Sequence, residues 1–296
     1  MAPSPTQEVA LIGADGKLGP AVLHALLSAG YRLKILKRSS SRSSNSYPPG
    51  VQLARISDDM DTLALKDALQ GADAAVLTVR GRMRDLQMCV ADASIQASVR
   101  RFIPADFGSC DSSSPQAQQL TEVRRHLIHL IQHLDDPDAF SWTSLTCGHF
   151  FDWSLPFIHI FPEEHRSDVL DEGEYRVSFS TLSRIGEAVV RVLQRPERTA
   201  NRMLFVQSFC MTQIQVVAAF EKASRRNWEV RKLDAEAFKE AEMAKADQGS
   251  LDAVEELVWY LGTVDADWTA RKDFAMELLG LEDEDLQEVV DGLVGG

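Results

Sequence analysis

The chain has 296 residues, 45% of them hydrophobic, which is enough for a full core as one large domain or two unequal lobes. Its four cysteines (Cys89, Cys110, Cys147, Cys210) form no CxxC pair and no disulfide rhythm, so reduced thiols without a metal are expected. Net charge is −13, but residues 234–296 alone hold 18 Asp/Glu against 4 Lys/Arg, which argues against a duplex nucleic-acid partner, whereas the first 101 residues hold 13 basic and 9 acidic side chains and suit a small polyanion.

Apolar runs then alternate with helical spacing. Val9–Ile12 reads as a strand ending at Gly13, and Pro20–Ala29 as a helix ending before Gly30. Leu33–Leu36 reads as a second strand, followed by a Ser-rich loop, "SSSRSSNSYPPG", over 39–50. A short helix over Leu63–Leu69, a strand over Ala74–Val79 and a helix over Leu86–Ser98 come next. Phe102–Pro104 reads as a buried strand, Leu120–Leu134 as an amphipathic helix and Trp142–Thr146 as another strand. This alternation predicts right-handed crossovers and a doubly wound, Rossmann-type parallel sheet. It places a dinucleotide-binding domain over 1–150 and a smaller, mostly helical C-terminal lobe over 151–296, with 182–195 packing back on the first domain.

Gly13, Gly16 and Gly19 stand between the first strand and the first helix. Gly13 suits the tight turn, Gly16 a close approach of backbone to pyrophosphate, and Gly19 close packing of helix on strand. Pro20 fits the first helical turn, and the N–H groups there face a phosphate. At the tip of strand two, an NAD-preferring site presents a carboxylate to the ribose. Here Lys37, Arg38 and Ser39 follow Leu36, with Arg42 beyond, so cations and a hydroxyl are set for a 2′-phosphate. NADP(H) is therefore expected over NAD(H).

"LIGADGKLGPAVLHALLSAG", "LKILKR", "VRRFIPADFG", "FSWTSLTCGHFFDW" and "DEGEYRVSFSTLSRIGEAVVRVL" appear in the order found in a known family. Over about residues 7–195 the chain resembles the NmrA-like, isoflavone-reductase-like branch of atypical short-chain dehydrogenases. The resemblance implies an NADPH-binding Rossmann domain with a C-terminal lobe that closes over the nicotinamide. It also implies either a reductase of small aromatic or polyketide-type molecules or a dinucleotide-binding regulator of transcription factors. By the same resemblance Gly13, Asp15, Gly16, Lys17, Leu18 and Gly19 form the phosphate loop, with Asp15 where the family more often has Thr. Arg38 matches the 2′-phosphate arginine, Thr78 and Arg80 the adenine–ribose side, and Phe107 the aromatic beside the nicotinamide.

Two departures stand out. Arg124 occupies the position of the family's lysine, and a guanidinium binds a developing oxyanion but does not relay a proton near neutral pH. Arg184 stands where the family often has an acid. No tyrosine has a lysine four positions later, so the ordinary short-chain dehydrogenase dyad is absent. His149, after a strand whose carboxyl end should face the nicotinamide, is the candidate proton donor, with a hydrogen-bonded turn histidine as the plainer reading. Asp106 and Asp111 are a conceivable carboxylate pair, though Asp106 reads better as a cap on the loop around Gly108. His126, His129 and His133 share one helical face but have no evident ligand partner, so a solvated face is read and no metal. Phe150, Phe151, Trp153, Phe157 and Phe161 read as core or as the roof of an aromatic pocket.

The expectation is thus an NADPH-dependent reductase of a small aromatic or polyketide-like metabolite. The alternatives are a non-catalytic NADP(H)-binding regulator with a protein partner, or redox-neutral dehydration or cyclisation. "MAPSPTQE" lacks an apolar leader core and no window approaches ~18 apolar residues. A cytoplasmic monomer or homodimer, with no membrane or nucleic-acid partner, is expected.

Overall fold

The computed structural model describes residues 7–43, 46–59, 61–80, 83–112, 114–115 and 140–295. In β1 (Glu8–Ile12) every residue from Val9 on is buried, as in a strand covered on both faces. α1 (Gly19–Ser28) follows with Pro20 in its first turn. β2 (Arg32–Arg38) pairs in parallel with β1, and β3 (Gln52–Ile56) in parallel with β2. β3 went unread in the sequence because it is an edge strand: of QLARI only Ile56 is buried, so no apolar run marks it. Asp61 caps α2 (Thr62–Leu69) by accepting from the Ala64 N–H at 2.9 Å. β4 (Ala74–Leu77), α3 (Arg84–Gln96), β5 (Arg101–Ile103) and β6 (Ser141–Thr146) continue the alternation. The helix expected over Leu120–Leu134 lies outside the described residues.

Beyond residue 150 the segment up to 180 is strand and 3-10 turn, where a mostly helical lobe was expected. It contains β8 (Ile160–Phe161), β9 (Arg166–Leu170) and β10 (Arg176–Ser180), preceded by β7 (His149–Phe150). α4 (Leu182–Leu193), α5 (Pro196–Thr199), β11 (Arg202–Phe205) and β12 (Phe209–Thr212) follow. The rest is helical apart from β13 (Glu229–Leu233). It comprises α6 (Gln213–Ser224), α7 (Ala235–Ala246), α8 (Leu251–Val264), α9 (Met276–Leu279) and α10 (Leu286–Gly295). A Thr212/Gln215 capping box starts α6, while Asp234 and Ser250 cap α7 and α8.

Seven strands form one sheet in the order β11-β6-β5-β4-β1-β2-β3, parallel throughout. The β3-β2-β1-β4-β5-β6 core is the Rossmann order, with its switch point between β1 and β4. Two three-stranded sheets, β12-β10-β7 and β13-β9-β8, hold the other strands among the described residues. Two compact units emerge. One draws on Met1–Phe107, Val123–Leu145 and Ile185–Leu204, the other on Gly108–Glu122, Thr146–Arg184 and Phe205–Gly296. In the first, α4 approaches α1 at Gly186, where a Cβ would stand 2.8 Å from the Ala21 carbonyl oxygen. In the second, Phe151 meets Phe209 at 5.0 Å and Phe179 at 5.5 Å between ring centroids, making a buried aromatic core.

Candidate cofactor site

At the switch point the β1–α1 loop lies against the end of β4. Gly13 has φ +97°, and a Cβ on it would come within 2.8 Å of the Thr78 carbonyl carbon. A Cβ on Gly19 would meet the Gly13 oxygen at 2.3 Å and Ala14 at 2.5 Å, so only glycine lets α1 start there. Gly16 is exposed and donates its N–H to the Gly13 carbonyl at 2.9 Å. Leu18, buried, stands at the N-cap of α1 and no side chain caps that end, which leaves the helix N-terminus to an anion. Lys17 is exposed beside it. Thr78 is buried, and its N–H donates to the Ile12 carbonyl at 2.8 Å, holding β4 to β1 below the loop. Arg80 is exposed just beyond, and Phe107 is half-buried after β5.

The tip of β2 divides its cations. Lys37 is 7% exposed, and its ammonium meets Asp15 Oδ2 at 2.7 Å and donates to the Ser43 carbonyl at 2.8 Å. It is therefore occupied inside the protein, unlike the phosphate ligand expected of it. Arg38 and Arg42 are exposed. Ser39 donates both its N–H and its hydroxyl to the Ile56 carbonyl at 2.9 Å, so it anchors the loop to β3. Two residues here carried no sequence signal. Asp58, two residues past β3, accepts from the Ser40 hydroxyl at 2.6 Å and its N–H at 3.1 Å. Those bonds, with some help from the nearby Arg38 charge, hold the Asp58 carboxyl below its ordinary range. Tyr47 donates its hydroxyl to Asp15 Oδ1 at 2.8 Å, and it is the single aromatic in the Ser-rich loop.

The carboxylate pair conceived for Asp106 and Asp111 is not what these residues form. Asp106, buried, accepts from the Ser144 hydroxyl of β6 at 2.6 Å, while Asp111 faces Arg271 at 3.4 Å. Gln87 of α3, 1% exposed, accepts from the Ala105 N–H at 2.9 Å and fixes the turn after β5.

In the second unit His149 is 2% exposed, and burial pushes its imidazole down to about 3, offset only in part by the polar Trp259 backbone. Neither ring nitrogen has a hydrogen bond among the described residues. The ring lies against Gly262 of α8, where a Cβ would stand 2.4 Å from Cε1 and 2.6 Å from Nε2. His149, Phe179, Trp259, Ser167 and Gln213 help line a cavity of about 10 Å³, room for about one water and not for a metabolite. His149 lies in the short strand β7 and not in a turn, and an imidazolium donor near neutral pH does not fit this burial. Arg124, His126, His129 and His133 lie outside the described residues, and no metal-ligating cluster occurs among those described.

Of the aromatic stretch, only Phe151 is fully buried core. Trp153 is 39% exposed, with its ring centroid 5.6 Å from Phe157 and 6.2 Å from Phe150. Arg184 is buried, donates to the Glu282 carbonyl at 2.6 Å and faces Glu284 at 3.8 Å. The Gln207 amide reaches both Asp283 oxygens at 3.1 Å. Part of the acidic C-terminal charge is thus consumed in docking the 282–284 turn.

A family model described as NmrA-like matches residues 5–126. Over 255 residues the chain is 30% identical to "Oxidoreductase poxI" of Penicillium oxalicum, covering 83% of this chain and 79% of that one. The chain belongs to the NmrA-like family. It is also 28% identical over 298 residues to "Oxidoreductase aprR" of Aspergillus flavus, covering 98% of this chain and all of the relative. Among solved structures, the leucoanthocyanidin reductase–NADPH binary complex from Vitis vinifera superposes with a TM-score of 0.78 at 17% identity, over 98% of this chain and 100% of that one. At that identity the likeness speaks for the fold. No helix among the described residues is long and apolar enough to cross a membrane.

Proposed function

We propose that the chain is an NADPH-dependent reductase of a small aromatic or polyketide-like metabolite. The observation that carries this reading is the switch-point cradle, where Gly13 and Gly19 leave no room for a side chain and an uncapped helix end faces the same loop. Gly16 and Lys17 fit beside a pyrophosphate, and the exposed Arg38 and Arg42 fit a 2′-phosphate. The dinucleotide, when bound, supplies a hydride. This chain's residues hold its phosphates, exclude bulk at Gly13 and Gly19, and set the adenosine end by charge. Phe107 and Arg80 are proposed to border it, as the family resemblance implies. The relatives named oxidoreductases support the reaction class. The part-exposed Phe150–Trp153–Phe157 cluster supports an aromatic acceptor, because flat rings stack on such a surface.

For the chemical step we assign Arg124 the binding of a developing oxyanion. The test is NADPH oxidation against a panel of aromatic carbonyls, enones and aryl ethers. Turnover with at least one is expected, and Arg124→Ala should raise the barrier by about 2–4 kcal/mol if its guanidinium acts as an oxyanion donor does. Tight NADPH binding with no consumption across the panel would instead favour the regulator.

A further inference from the structure

The Asp15 carboxylate is an unexpected group in a loop built to receive pyrophosphate, since two anions side by side repel. The structure resolves this internally. One oxygen meets the buried Lys37 ammonium at 2.7 Å, and the other accepts the Tyr47 hydroxyl at 2.8 Å. Lys37 also donates to the Ser43 carbonyl at 2.8 Å and lies over the Tyr47 ring at 5.8 Å. Three segments thus meet at one ion pair: the β1–α1 loop through Asp15, the end of β2 through Lys37, and the Ser-rich loop through Tyr47 on the carboxylate and Ser43 on the ammonium. Burial and the neighbouring carboxylate both push the Tyr47 phenol upward, so it remains a donor across the working pH range. The other end of the loop is fixed separately, through Ser39 on the Ile56 carbonyl and Ser40 on Asp58.

We infer that Asp15, Lys37 and Tyr47 form a strap that closes the Ser-rich loop onto the phosphate loop and thereby sets the subsite for the adenosine 2′-phosphate. The strap withdraws Lys37 from ligand binding and leaves Arg38 and Arg42 as the selecting cations. Asp15 and Tyr47 are positioning residues, because neither is needed to touch the cofactor. Discrimination between NADPH and NADH then depends on a tyrosine in a loop with no other aromatic. This inference rests on the dinucleotide reading above, and it adds the residues that govern its selectivity.

The experiment is calorimetric titration of NADPH and NADH into wild type, Tyr47→Phe, Asp15→Ala and the double variant, with amide hydrogen exchange on the same four proteins without ligand. Tyr47→Phe keeps the ring and removes one hydrogen bond to a charged acceptor. It should speed exchange around Ser43 and Tyr47 and weaken NADPH binding about 3- to 30-fold, with NADH changed less than about twofold. In the Asp15→Ala background the same change should add nothing, since its partner is gone. Unchanged exchange in Tyr47→Phe overturns the strap without reference to any ligand. NADPH and NADH weakened equally, or additive effects in the double variant, overturn its role in selectivity while wild-type preference for NADPH keeps the dinucleotide reading. Wild type that binds neither nucleotide overturns both.

Discussion

His149 shows how a residue's surroundings decide its chemistry. A histidine after a strand in an α/β chain invites a proton-transfer role, yet this ring is sealed between Phe179, Trp259 and Gly262 and held neutral. An imidazole in the unfolded chain titrates near its ordinary 6.5, and in the fold near 3. Above pH about 6.5 it is neutral in both states and contributes no pH dependence. Between about 6.5 and about 3 the unfolded chain takes up a proton that the fold refuses, so stability falls by up to about 1.4 kcal/mol per pH unit. Denaturant unfolding across that range should show a steeper acid decline for wild type than for His149→Gln, and equal slopes would mean the ring charges in the fold. Gly262→Ala is the companion change, since its Cβ collides with the ring. A loss of about 1–3 kcal/mol in thermal unfolding is expected, and no loss would mean the imidazole swings freely.

At the scale of elements, the βαβ series was legible because central parallel strands are continuous apolar runs. β1 and β4 each show one, β2 keeps its apolar residues around Lys34, and the glycines between β1 and α1 mark their own turn. β3 was not legible, being a polar edge, and neither were the short strands of 149–180, where Gly, Pro and aromatics follow no clear period. The glycines allow a sharp contrast. Gly19→Ala drives a Cβ into backbone at 2.3 Å and should cost about 1–3 kcal/mol or more and abolish dinucleotide binding. Gly30→Ala at the end of α1 meets nothing within 4 Å, and its φ of +82° should cost only about 1–2 kcal/mol with binding intact. Equal behaviour in thermal unfolding and nucleotide titration would contradict the assigned role of Gly19. Arg184, an apparent departure in sequence, finds its partners about a hundred residues away in the 282–284 turn. No local pattern carries a contact of that range. Arg184→Met should lower stability by about 1.5–3 kcal/mol, read as a drop in urea midpoint.

For the whole molecule, the glycine loop and the basic strand tip were both visible in the first 42 residues, and they carry the functional reading. What the sequence could not assign was which cations remain available. Lys37 and Arg38 are neighbours in the chain, but strand alternation buries one against Asp15 and exposes the other. The partners Tyr47 and Asp58 come from separate loops and are joined to the site only by folding. The central claim is therefore a preference for the 2′-phosphate written mainly in Arg38. The most direct measurement is the equilibrium affinity of wild type and Arg38→Glu for NADPH and NADH at fixed salt. Wild type should bind NADPH about 10- to 100-fold more tightly, the range of a charge-assisted contact, and Arg38→Glu should abolish or reverse that ratio. Equal affinities in wild type, or a ratio that Arg38→Glu leaves unchanged, would contradict the account.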